Sequence, residues 1–98
     1  MSKLRELARG QDCLVRMPGV CNFNSETTVL AHIRLAGTAG VGQKPPDTCG
    51  VWACSACHDE IDGRTKVYGR PLVERMVLEA LLRQLAWYDK HEVLTVCL

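Results

Sequence analysis

Ala53-Cys54-Ser55-Ala56-Cys57-His58-Asp59-Glu60-Ile61-Asp62 combines a cysteine pair with a histidine and acidic residues at helical spacing. Two cysteines with a two-residue spacer can turn both sulfurs onto one metal ion at the start of a helix. The positive end of the helix dipole favours the thiolate form there. Gly63 follows directly, where a helix readily ends, so the spacing predicts a short helix over 54–62. His58 and Asp62 stand four residues apart and share a face of that helix. An imidazole nitrogen beside a carboxylate oxygen can hold a second divalent ion and leave positions open for water and phosphate. Asp59 and Glu60 read as ordinary surface charges near the helix start.

Moving upstream, Thr48 to Ala53 predicts a strand, and the β-branched run Thr27 to Ile33 predicts an antiparallel partner for it. His32 lies near the end of that first strand. With the helix packed across the strand pair, His32 approaches the His58–Asp62 face, where a neutral imidazole can accept a proton from an attacking water. A glycine-rich loop from Ala36 to Pro46 joins the strands and carries Lys44. Further upstream, Cys13 and Cys21 flank a Pro18-Gly19 turn and form a second sulfur pair, although their seven-residue spacer is longer than usual. Four thiolates make a closed, tetrahedral, structural site, so Cys13, Cys21, Cys54 and Cys57 are the expected zinc ligands.

The flanks read as helices. Ser2 caps a short one over Lys3–Arg9, ended by Gly10. Pro71 opens a long one reaching about Lys90. Val73, Met76, Val77, Ala80, Leu81, Gln84 and Tyr88 recur three or four apart, and Leu85 and Trp87 widen the stripe. That face packs on the rest of the domain or forms a homodimer contact with a second copy. The expected architecture is therefore α+β: a ββα core over about 27–63 within one domain spanning 1–98, with an N-terminal helix and a long C-terminal helix.

Composition narrows the function classes. A chain of 98 residues builds one core, and 47% hydrophobic with 23% charged residues fits a globular domain. The net charge of +1 excludes binding of nucleic acid through bulk charge, so any such contact is local. Arg34 beside the strand end and Lys44 in the loop are the candidate phosphate contacts. Residues Met1 to Leu7 hold no apolar leader segment and no run is long enough to span a membrane, so a cytoplasmic location is expected. In that reducing compartment, six cysteines point to metal ligation or redox chemistry rather than disulfides. Buried apolar thiols remain the reading for Cys49 and Cys97. A thioredoxin-like redox motif would need a βαβ pattern, and haem attachment at Cys54–His58 would need export.

Four segments in order carry a resemblance: Cys13-Leu14-Val15-Arg16-Met17-Pro18-Gly19-Val20-Cys21-Asn22, Leu30-Ala31-His32-Ile33-Arg34-Leu35, Lys44-Pro45-Pro46-Asp47, and Ala53 to Asp62. Together they resemble the lambdoid-prophage YbcO-like nuclease family, of the HNH (ββα-metal) type. The likeness extends to the catalytic domain of the phage RecA-dependent nuclease Ref. It covers about residues 2–66 and fades over the C-terminal helix. The resemblance implies a metal-dependent DNA endonuclease with His32 as general base and His58 and Asp62 as ligands of a catalytic Mg²⁺ or Mn²⁺. It further implies that Asp47 orients the base, and that a recombinase such as RecA is a partner. Many HNH members carry Asp or His just before the base; here Ala31 stands, which leaves the ion to His58, Asp62 and waters. The alternative is a non-catalytic zinc module that binds DNA or a protein.

Overall fold

The computed structural model describes residues 3–35 and 45–94, with five regular elements: α1 (Lys3–Ala8), β1 (Val29–His32), β2 (Gly50–Ala53), α2 (Ser55–Ile61) and α3 (Arg70–Lys90). β1 and β2 form an antiparallel pair in the register Val29↔Ala53, Leu30↔Trp52, Ala31↔Val51 and His32↔Gly50. The result is a small α+β domain in which α1 and α3 flank the hairpin. No described helix is long and apolar enough to cross a membrane.

The elements fall where the pattern predicts, with shorter ends except for α3, which begins one residue earlier than expected, at Arg70. Thr27 belongs to a 3₁₀ turn, Ser25–Thr27, whose Asn24 side chain accepts from the Glu26 amide; β1 therefore starts at Val29. Thr48 and Cys49 sit in a second 3₁₀ turn, Asp47–Cys49, because the Cys49 amide bonds back to the Pro46 carbonyl at 2.8 Å. Gly10 and Gly63 take φ of +79° and +78°, the left-handed conformation that ends α1 and α2.

Gln84 sits in the apolar stripe of α3, and the structure explains why a polar residue stands there. Its Oε1 accepts from the Trp52 amide at 2.7 Å and its Nε2 donates to the Gly50 carbonyl at 2.9 Å. A single side chain thus supplies β2 with the donor and acceptor that a third strand would give, and is itself 2% exposed. The Leu14 amide also bonds to the Trp52 carbonyl, tying the N-terminal cysteine segment to the same strand. Around this seam, Val73, Val77, Ala80 and Tyr88 are buried, and Trp52 packs edge-on against Trp87 and Tyr88 at 5.0 and 5.9 Å. Leu85 does not join them: it is 47% exposed, on the outer side of α3.

Glu60 corrects a second expectation. It is no surface charge but 1% exposed, and its carboxylate accepts from the Thr65 hydroxyl at 2.5 Å and from the amides of Val67 and Tyr68 at 3.2 and 2.8 Å. The Thr65 bond, then the Tyr68 amide, holds its pKa below the ordinary 4.5. This carboxylate fastens the α2–α3 connection to α2. Arg70 completes the join by donating to the carbonyls of Glu60 and Ile61.

Candidate active site and metal centre

The cysteine cluster forms first in the chain's logic. Cys54 caps α2, its sulfur accepting from the Cys57 amide at 3.4 Å, which turns both thiols of the pair to one side. The Pro18-Gly19 turn, with the Cys21 amide bonded to the Met17 carbonyl at 2.9 Å, folds Cys21 back beside Cys13. All four sulfurs lie within 4.8 Å of one another. Backbone amides aim at them from several sides: Val15 and Arg16 at Cys13, Phe23 at Cys21, Met17 at Cys57. Arg16 and Phe23 adopt left-handed φ of 50° and 53°, a strained choice for bulky residues, and in that conformation their amides reach the sulfurs.

Four sulfurs this close cannot all ionise unaided. The Cys13 thiol is pulled down to about 4, chiefly by the hydrogen bond from Cys57. The Cys57 thiol is pushed up by that same bond and by burial, and Cys21 is raised to about 11, burial being the main cause. A divalent cation removes the conflict by stabilising every thiolate at once. Dimensions agree. Tetrahedral sulfurs about 2.3 Å from a zinc ion lie about 3.8 Å from each other, and Cys21 and Cys54 stand 3.8 Å apart. The donor set therefore suits a soft ion such as zinc. Cys13, despite its long spacer, belongs fully to the set.

The second site is polar and half-open. His32 ends β1, and its Nε2 lies 2.7 Å from Asp47 Oδ1. Asp47, at the turn before β2, also accepts from Arg5 of α1 at 3.3 Å through Oδ2. On α2, His58 Nε2 and Asp62 Oδ2 stand 3.2 Å apart, and Arg64 donates to the same Asp62 oxygen at 3.2 Å. One cavity of about 300 Å³ gathers Arg5, His32, Arg34, His58, Asp62 and Arg64. The hairpin and α2 thus bring three of the four expected catalytic residues to one opening, and Asp47 joins through His32. Adjacent ligand atoms on an octahedral ion about 2.1 Å away lie about 3 Å apart, so the His58–Asp62 separation suits a shared hard cation.

Strand alternation disposes of position 31. Ala31 is fully buried in the core cluster and faces away from its neighbour His32, so this position offers the cavity no ligand. Lys44 lies outside the described residues, as does Cys97; Cys49 is half-buried. Arg5 and Arg64 escaped the sequence reading. Arg5 reaches a partner 42 residues away, which no local pattern announces. Arg64 had a usable signal, a cation just after a helix bearing Asp59 and Asp62 on its last turns, and it pairs with both.

The family model described as "Putative nuclease YbcO" matches residues 2–93. The chain belongs to the YbcO family. Two similar proteins are "Putative nuclease YbcO" of Escherichia coli (strain K12) and "Putative nuclease ybcO" of Enterobacteria phage 82. Each is 54% identical over 88 residues, covering 89% of this chain and 92% of the relative. A solved structure, "Structure of a putative bacteriophage protein from Escherichia coli str. K-12 substr. MG1655", matches with a TM-score of 0.77 at 46% identity. It covers 92% of this chain and 100% of that one. The YbcO match extends past the expected limit near residue 66 and takes in α3.

Proposed function

We propose that this YbcO-family chain is a metal-dependent DNA endonuclease of HNH type, related to the nuclease Ref, in which the cysteine cluster holds a structural zinc. The observation that carries this reading is the shared cavity: a carboxylate-tethered imidazole faces a His–carboxylate pair, with three arginines around them. Those are the parts that phosphodiester hydrolysis needs: a base, a seat for a divalent ion, and cations for phosphate oxygens.

Asp47 accepts from Nε2–H of His32, which leaves Nδ1 as the basic nitrogen that takes a proton from the attacking water. His32 has 9% side-chain exposure, so the imidazole is held in place by both Asp47 and the surrounding wall. His58 and Asp62 would hold Mg²⁺ or Mn²⁺, which when bound supplies charge stabilisation to the phosphate and its leaving oxygen. Arg34, Arg5 and Arg64 receive the phosphate and orient it. Three local cations explain how a chain of net charge +1 can engage DNA.

The non-catalytic reading draws on one observation, the ion pairs of Asp47 and Asp62 with Arg5 and Arg64, which engage the carboxylates that a base partner and a divalent ion would need. Purified protein incubated with plasmid and oligonucleotide DNA plus Mg²⁺ or Mn²⁺ separates the two, with His32→Ala alongside. Cleavage that depends on the ion and falls about 10²–10⁴-fold in His32→Ala supports the nuclease. Tight DNA binding with no ion-dependent cutting under any of these conditions supports the binding module.

A further inference from the structure

Next to the polar cavity lies a second one, of about 400 Å³, and the two share His32, Arg34 and Asp62. Its character is opposite. Ile33 and Leu35, on the chain leaving β1, line it together with Val77, Leu78 and Leu81 of α3, and Glu74 adds a carboxylate to the lining. Leu35 and Leu78 are 49% and 53% exposed, so the apolar walls are open to solvent. The groove is continuous with the polar cavity through His32, Arg34 and Asp62, so a ligand held in one reaches the other.

A nucleotide has the same two-part character: an anionic phosphate, and a base with apolar faces and polar edges. Resting on the phosphodiester reading of the polar cavity, the geometry points to the apolar groove as a nucleobase subsite. The base beside the scissile phosphate lies between the Leu35 and Leu78 walls, its amino edge toward Glu74. A base inside a stacked duplex cannot enter such a groove, so the substrate class that fits both cavities is single-stranded or locally unpaired DNA. The groove volume lies within the range of about 300–1,000 Å³ typical of small-ligand sites.

The test uses the full chain with His32→Ala, which prevents cutting, and compares Leu35→Asn/Leu78→Asn in that background. Both leucines are half-exposed, so their replacement spares the core. Binding of a 2-aminopurine-labelled single strand and of the matching duplex is followed by fluorescence, with the mass of each protein measured by light scattering. The single strand should bind about tenfold more weakly to the variant, the expected scale for losing one base contact. Duplex affinity and protein mass should not change. Equal loss on both DNAs, or no loss, overturns the subsite. A dimer that the variant converts to monomer also overturns it, because the groove then belongs to a second copy. Failure of the unmodified His32→Ala protein to bind any DNA removes the phosphodiester reading itself, and the subsite with it.

Discussion

The sulfur cluster and the polar cavity sit at opposite ends of the same short helix, and they are built by opposite rules. At the start of α2, three of the four cysteines are buried, and backbone amides from several residues are aimed at the sulfurs. Nothing there is left for a substrate. At the end of α2, His58 and Asp62 keep 29% and 25% of their side chains exposed, and their polar partners are other side chains rather than the backbone. A closed site contributes to folding; an open one spends little on folding and keeps coordination positions for chemistry. One short helix is thus tied into the interior at one end and open to solvent at the other.

The hardest blow to this contrast is Cys57→Ser. If the cluster holds the proposed zinc, removing one thiolate should abolish the cooperative thermal transition, because such sites contribute about 10–16 kcal/mol of apparent binding energy to domains whose net stability is about 5–15 kcal/mol. Circular dichroism with and without a chelator checks it; an unchanged melting curve would mean that the fold does not depend on the sulfurs. His58→Ala should do the reverse. Cleavage falls at least about a hundredfold, while the melting temperature barely moves, since an exposed i,i+4 pair contributes only about 0.5 kcal/mol.

Two smaller tests probe the frame that joins the sites. Gln84→Leu leaves the Trp52 amide and the Gly50 carbonyl without side-chain partners, a cost of about 2–4 kcal/mol in chemical denaturation at unchanged slope. Glu60→Gln weakens the α2–α3 join, and its effect carries a pH signature. The Glu60 pKa is lowered on folding, so its contribution is complete above the ordinary value of 4.5 and is lost as pH falls through the folded value. The melting temperature gap between the parent and Glu60→Gln should therefore be widest at neutral pH, a few degrees, and close on acidification. A gap that is constant with pH would show that the carboxylate charge contributes nothing.

Much of this was legible in the sequence because it is local. The Cys54–Cys57 spacing, the His58–Asp62 interval, the two strands and the stripe of α3 each follow from periodicity within a few residues. The union of the two cysteine pairs was readable from chemistry rather than from local pattern, since a tetrahedral metal site takes four thiolates and each pair supplies two. What escaped is non-local or concerns satisfaction of buried groups. Arg5 finds Asp47 only through the packing of α1 on the hairpin. Gln84 is the polar member of an apolar stripe, and Glu60 reads as a surface charge. Both are polar because backbone groups in the interior need partners, a demand visible only once the chain is folded.

Anomalous diffraction at the zinc and manganese edges, from crystals grown with Mn²⁺, distinguishes a closed sulfur site from an open oxygen–nitrogen site on the same helix. The expected result is zinc among the sulfurs of Cys13, Cys21, Cys54 and Cys57, retained through dialysis, and manganese between His58 and Asp62 that washes out. Manganese bound elsewhere, or sulfurs without an ion in protein that is fully folded, would contradict it.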